Sequence, residues 1–472
     1  VRMKPSWVIG SMALFAVMFV CSANDTPTHT GEAELQTKSS LSKPLVTQPI
    51  HKSQRKPQDT TFAVRVSLRP FPYPYQAMLA IASDADHETL RKFNLVHQFL
   101  NTHDKTIWGT GLGLDISDSF FMYNGTNVNQ YVDFGKQPMS HELTYFQGVS
   151  SQPYGAQVID HYIHVGWMDS IHTYGDFSMQ DEHQTEFTRS LAVQGAAALA
   201  AHGDNVSVWI DHGNMSNVDD FGSYGFRPFF NYQQGANPNS EYYHTDLTIP
   251  YGIHFVWTGL ASDAFGRSTM IYPIQLPDGR SVWGFWRYTN SAFDRLGDPE
   301  WDWSPDALSV QLTKENLTDL VQRHQFSIVA QHLSGKDSLL PLPTNAVDAL
   351  KTLAQFYDSG EVLVARTSRL LQYNVVRDHI RYQVSSNGRE TIINIKSVED
   401  PVLGTYVPTV DALRGITFYT RDPEMTTIEI NGVVIPHDMI QDNPFDGVAR
   451  SIEICWYPPD TTDYTQTDPA VY

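Results

Sequence analysis

The chain has 472 residues, with 32 Lys and Arg against 52 Asp and Glu for a formal charge of −20. At 41% hydrophobic and 12% aromatic it can build a sizeable core, which excludes a disordered or collagen-like chain, and the length favours two or more folding units. The acidic balance argues against a nucleic-acid partner, because displacing counterions from a phosphate backbone needs a basic surface. A neutral, polyol-type partner is easier to accommodate. Most of the 10 Trp, 23 Tyr and 24 Phe are expected in the core, but aromatic faces are also what sugar rings stack on.

At the N-terminus, Lys4 precedes the apolar run Trp7 to Val20, and small residues follow at Cys21-Ser22-Ala23. This layout predicts a signal peptide over 1–23, with Met3 as the better start and Val1 and Arg2 as upstream read-through. The run is short for a membrane span, which needs about 20 residues, so none is expected in the mature chain. Lipidation at Cys21 and a retained anchor remain alternatives. The expected location is therefore exported: secreted, periplasmic or at the cell surface. Residues 24–59 are rich in Thr, Ser, Pro, Lys and Gln and read as a disordered leader or linker. The second cysteine, Cys455, would be the single thiol of the mature chain, which leaves no internal disulfide and no Cys-based zinc site.

From Phe71 onward, short apolar runs end in polar clusters and alternate with helix-like segments. The runs beginning at Ala77, Val206, Ile253 and Phe326 suit strands buried on both faces. Between and after them, Phe187 to His202, Tyr242 to Tyr251, Asn316 to Arg323 and Val347 to Tyr357 read as helices, with a strand at Val362-Leu363-Val364. The alternation predicts a parallel α/β sheet or barrel over 60–375, whose chemistry gathers at the carboxyl ends of the strands. After Val375 the patterning switches to period two, as in Ile380 to Val384 and Thr391 to Ile395, with an Asn431-Gly432 turn. That predicts an antiparallel β-sandwich domain over 376–472.

The first strand ends in Ser83-Asp84-Ala85-Asp86-His87. In extended backbone, Asp84 and Asp86 project from one face, and a divalent cation offsets their repulsion. The plainer alternative makes Asp86 the N-cap of a helix over Glu88 to Phe99. His172 and Asp176 lie four apart, so a helical turn would bring both to one ion. His212 and His332 each follow an apolar strand, where an imidazole faces the site as readily as it serves a structural hydrogen bond.

Taken in order, these segments from Phe71 to Tyr373 resemble the polysaccharide deacetylase superfamily, metal-dependent esterases of acetylated glycans in the manner of carbohydrate esterase family 4. The resemblance implies an irregular (β/α) barrel. It also implies that Asp84 is the general base, His332 the general acid, and Asp86, His172 and Asp176 the metal ligands. Asp176 stands where the family's second motif has a His, a harder donor set that suits zinc and other divalent ions. Arg227 and Arg287 compete for the role of orienting the base; Trp209, His212 and Arg287 are the candidate substrate contacts. The expected activity is removal of acetyl groups from an extracellular or envelope polysaccharide, with zinc the first candidate metal. The alternatives are a glycoside hydrolase, whose two carboxylates flank a sugar from different strands, and a noncatalytic glycan-binding protein on the same fold. Gly109 to Gly113 lacks the spacing and following helix of a dinucleotide-binding turn.

Overall fold

The computed structural model describes residues 66–124, 142–177, 187–212, 217–222, 232–259, 261–262, 264–293, 299–301, 303–335 and 340–467. The predicted signal peptide, the leader, Cys21 and Arg227 lie outside them. The strand Ala77–Ser83 is buried at all seven positions, as its uninterrupted apolar run requires. It pairs in parallel with Phe326–Gln331 along its length and with Val362–Val364 and Asp118–Phe120 on its other edge. Outward from Asp118–Phe120 the parallel ladder continues through Met168–Ile171, Val208–Ile210 and Phe255–Trp257. Past Phe255–Trp257 come Ser281–Phe285 and its antiparallel partner Ile271–Gln275. On the other side, Arg287–Tyr288 and Ala261–Ser262 extend the sheet beyond Phe326–Gln331.

The fold is thus mixed α/β, with an 11-stranded sheet and eight α-helices among the described residues. The expected barrel closure is not found there: the ladder runs from Ile271–Gln275 to Ala261–Ser262 without returning on itself. None of the described helices is long and apolar enough to cross a membrane. The helices fall close to their predicted spans, at Arg189–His202, Thr245–Tyr251, Lys314–Gln322 and Thr344–Asp358.

Period-two patterning after Val375 gives strands, but they form two sheets rather than a purely antiparallel unit. Thr391–Asp400 pairs antiparallel with Ile380–Ser386 yet parallel with Thr426–Ile430. Asn431 and Gly432 adopt φ of 49° and 85°, the positive pair that a tight hairpin turn requires. In the second sheet, Ser67–Leu68, which precedes the large sheet in sequence, joins Thr417–Tyr419. Ile393, Ile395, Val398 and Ile452 share one apolar cluster with Met78, Ala80, Val208 and Phe255, bridged by Leu370, Leu371 and Val375 of the helix Thr367–His379. No separate core begins at residue 376, and Phe62–Tyr472 behaves as one compact unit.

Candidate active site and metal centre

Asp84 and Asp86 follow the strand Ala77–Ser83, His172 follows Met168–Ile171, His212 lies two residues past Val208–Ile210, and His332 follows Phe326–Gln331. Parallel strands put these residues at one end of the sheet. The helix behind the first strand begins at Leu90, and its N-cap is Thr89, whose hydroxyl accepts from the Lys92 N–H at 3.3 Å. Asp86 is therefore not the cap, and its carboxylate turns to the histidines.

His172 Nε2 lies 3.0 Å from Asp86 Oδ2, and His212 Nε2 lies 2.9 Å from Asp86 Oδ1. The Phe121 ring stacks on His172 at 5.0 Å, and His172 Nδ1 sits 3.1 Å from the Ile210 carbonyl oxygen. A carbonyl only accepts, so Nδ1 carries a hydrogen, and Nε2 faces Asp86 either as a second N–H donor or as a lone pair with a cation between them. A lone pair and a carboxylate oxygen at that distance repel unless a proton or a cation stands with them. One donor atom from each of Asp86, His172 and His212 falls within 4.8 Å of the others. Two donors on a tetrahedral ion at about 2.0 to 2.2 Å sit roughly 3.3 to 3.6 Å apart, so the 3.0 and 2.9 Å contacts, which go to different Asp86 oxygens, would open by a few tenths of an ångström around an ion. With two imidazoles and one carboxylate, the group could hold a divalent metal ion.

This set differs from the expected one. Asp176 was expected beside His172 on a helical turn, but Thr173 takes a left-handed φ of 52° and the segment leaves the strand as a loop. The Asp176 carboxylate consequently faces the far nitrogen of His212, Nδ1, at 3.7 Å. His212, expected at the substrate, stands where the third donor is needed. Its backbone N–H donates to Asp220 Oδ1 at 3.0 Å, which fixes the residue at the strand end.

Asp84 and Arg287 form the second half of the site. Arg287 Nη2 donates to Asp84 Oδ1 at 2.7 Å and to the Ala82 carbonyl at 3.1 Å. Both side chains are buried, the arginine completely, so Arg287 holds Asp84 and is closed off from a substrate. Burial alone would raise the Asp84 carboxyl, but the Arg287 guanidinium and the neighbouring histidines outweigh it and keep Asp84 below the usual carboxylate range. Removing one partner of a buried ion pair costs about 3 to 5 kcal/mol, because the other charge is left uncompensated. Arg287 also lies 4.4 Å from the Trp257 ring centre, which adds a cation–π contact.

His332 Nε2 is 3.4 Å from Asp84 Oδ2 and 3.8 Å from Asp86 Oδ2. Its ring lies nearly parallel to that of Trp303 at 6.2 Å. Burial would lower the His332 imidazole, but Asp86 and Asp84 outweigh it and raise it above the ordinary histidine value. Together these side chains line a cleft of about 160 Å³, walled by Trp257 and Trp303. A larger cavity of about 740 Å³ lies beside it along Ser304, Pro305 and Leu340 to Thr344, and among its lining residues only Asp306 is ionisable.

Trp209, expected at the substrate, is wholly buried: its Nε1 donates to Asp211 Oδ1 at 2.9 Å and its ring stacks on Phe221 at 4.6 Å. The residues missed in the sequence are Trp257 and Trp303 at the wall, and Glu142, whose carboxylate accepts the His87 N–H at 2.9 Å. Burial, then the charge of Asp86, pushes Glu142 well above the usual carboxylate range. Trp257 ends an apolar strand exactly as His212 and His332 follow theirs, and that position was its only signal. The chain matches no family model, no curated protein and no solved structure at a significant level.

Proposed function

We propose that this chain is a metal-dependent hydrolase that removes acetyl groups from a polysaccharide, a divergent relative of the polysaccharide deacetylases acting outside the cytoplasm. The observation that carries the reading is the pairing of two differently held carboxylates: Asp86 between His172 and His212 at 3.0 and 2.9 Å, and Asp84 on Arg287 at 2.7 Å. In this reading Asp86, His172 and His212 hold a divalent ion, zinc first. When bound, that ion supplies Lewis-acid polarisation of the acetyl carbonyl and of the attacking water.

Asp84, kept ionised by Arg287, accepts the proton of the attacking water. His332, on the same carboxylates, carries the proton that the departing amine or alkoxide takes up. Trp303, half-buried at the cleft wall, offers a face for the sugar ring, and the neighbouring cavity gives a polymer room to extend. A glycoside hydrolase fits less well, because its two carboxylates stand on opposite sides of a sugar about 5 to 9.5 Å apart. Here one carboxylate oxygen of Asp84 and one of Asp86 lie within 4.8 Å of each other, and both carboxylates face the same nitrogen, His332 Nε2.

The test is acetate release from a panel of N- and O-acetylated glycans by the full chain, zinc-loaded and after chelation. Release by the loaded chain, loss on chelation and recovery on adding zinc are expected. Cleavage of glycosidic bonds without acetate, or release that is indifferent to chelation, would overturn the proposal.

A further inference from the structure

A second group of ligand-type side chains lies away from the cleft. Asp160 belongs to the helix Ala156–Val165, His202 closes the helix Arg189–His202, and Asp204 follows the C-cap Gly203. Both helices end at a left-handed glycine, Gly166 with φ 77° and Gly203 with φ 72°, a conformation that costs glycine nothing. Each then leads directly into a parallel strand, Met168–Ile171 or Val208–Ile210. The group therefore sits where those strands begin, at the end of the sheet opposite Asp86, His172 and His212.

One donor atom from each of Asp160, His202 and Asp204 lies within 4.8 Å of the others. Asp160 Oδ2 is in close contact with His202 Nδ1, and the Tyr145 hydroxyl is 3.4 Å from the same nitrogen. The Asp204 side chain is completely buried, and no nitrogen or hydroxyl donates to either of its carboxylate oxygens or to Asp160 Oδ1; its neighbour is the Asp160 carboxylate, so the two acids need a shared proton or a cation between them. The nearest cationic candidate, His164 Nδ1, is 3.4 Å from Asp204 Oδ1, but that nitrogen is turned to the Asp160 carbonyl at 2.7 Å. Buried carboxylate oxygens without donors are costly. His202 is half-exposed, which leaves the site open to solvent on one side for exchange of an ion and for water to complete its shell.

We infer that Asp160, His202 and Asp204 form a second divalent-cation site, a structural one that ties the middle of one helix to the C-terminal end of the other. Two carboxylates and one imidazole match the donor types of a zinc site with water in the remaining position. The ion joins two helices that each carry a strand of the large sheet, so its effect falls on stability rather than on the cleft.

The experiment counts zinc per full chain after stripping and reloading with zinc alone, and measures melting with and without zinc. Wild type is expected to hold two equivalents. His202→Gln, at a half-exposed position that tolerates the change, and Asp204→Asn should each lose one equivalent and most of the zinc-dependent rise in melting temperature. Asp86→Asn should lose the other equivalent and keep that rise, so failure of the second site is distinguishable from failure of the catalytic reading. Unchanged zinc content in His202→Gln would overturn the inference. So would a zinc-free Asp204→Asn that melts above zinc-free wild type while wild type binds no zinc there, since a proton shared by the two carboxylates would then account for the pair.

Discussion

His212→Gln is expected to empty the metal site and take acetate release to background, whereas Asp176→Asn keeps the metal and weakens its hold by about 10- to 100-fold. Asp86 and Asp176 flank the His212 imidazole from opposite sides. His212 Nε2 meets Asp86 at 2.9 Å, while Asp176 stands 3.7 Å from Nδ1, in the place from which an outer carboxylate orients a ligating ring. Zinc content at saturating and at limiting concentration separates the cases. The ligand variant fails at both, and the orienting variant fails only when zinc is scarce. If Asp176→Asn lost its metal outright while His212→Gln retained it, the donor set built on the His-x3-Asp spacing would be right and the one drawn from the geometry wrong.

Asp84→Asn is expected to keep its zinc and lose about 10² to 10⁴ in rate, because the amide still occupies the Arg287 pocket but cannot take the water proton. His332→Ala should also keep its zinc and slow departure of the leaving group, with the larger loss on N-acetyl substrates, since an amine leaves poorly unless protonated. Asp86 and Asp84 raise the His332 imidazole against the lowering effect of burial. Its acid form therefore persists to higher pH than that of an ordinary histidine and is lost as pH rises through that raised value. The alkaline limb of the wild-type rate profile should accordingly disappear in His332→Ala. Loss of zinc from Asp84→Asn would exchange the roles of the two carboxylates, and a full rate in His332→Ala would remove the general acid.

Strand positions and site positions were read from the sequence with different success, and the reason is physical. Ala77–Ser83 and Phe326–Gln331 are buried throughout, so their apolar runs mark them, and the polar residues that follow are placed at the sheet end by chain direction alone. That is why Asp84, Asp86, His172, His212 and His332 can be placed together at one end of the sheet from the sequence. What spacing could not supply was the path of the chain after the strand. A single left-handed residue, Thr173, takes Asp176 out of the group of Asp86, His172 and His212 and behind His212. Arg287 and Trp209 read as polar or aromatic candidates near strands, but burial on Asp84 and against Phe221 follows only from packing. The C-terminal strands were evident from period two, whereas their sharing of a core with Met78, Val208 and Phe255 depends on the helix Thr367–His379 lying between the sheets. The group at Asp160, His202 and Asp204 has no spacing signal joining its members, because Asp160 comes from the middle of one helix and the other two from the end of another.

The claim at the centre of this account is that Asp86, His172 and His212 hold one metal ion. Anomalous diffraction at the zinc edge from crystals of the zinc-loaded chain tests it most directly. The account predicts a peak at about 2.0 to 2.2 Å from both Nε2 atoms and from an Asp86 oxygen, with Asp176 outside that distance. A zinc-saturated crystal with no peak in the cleft, or with a peak bound by His172 and Asp176 while His212 points away, would contradict it.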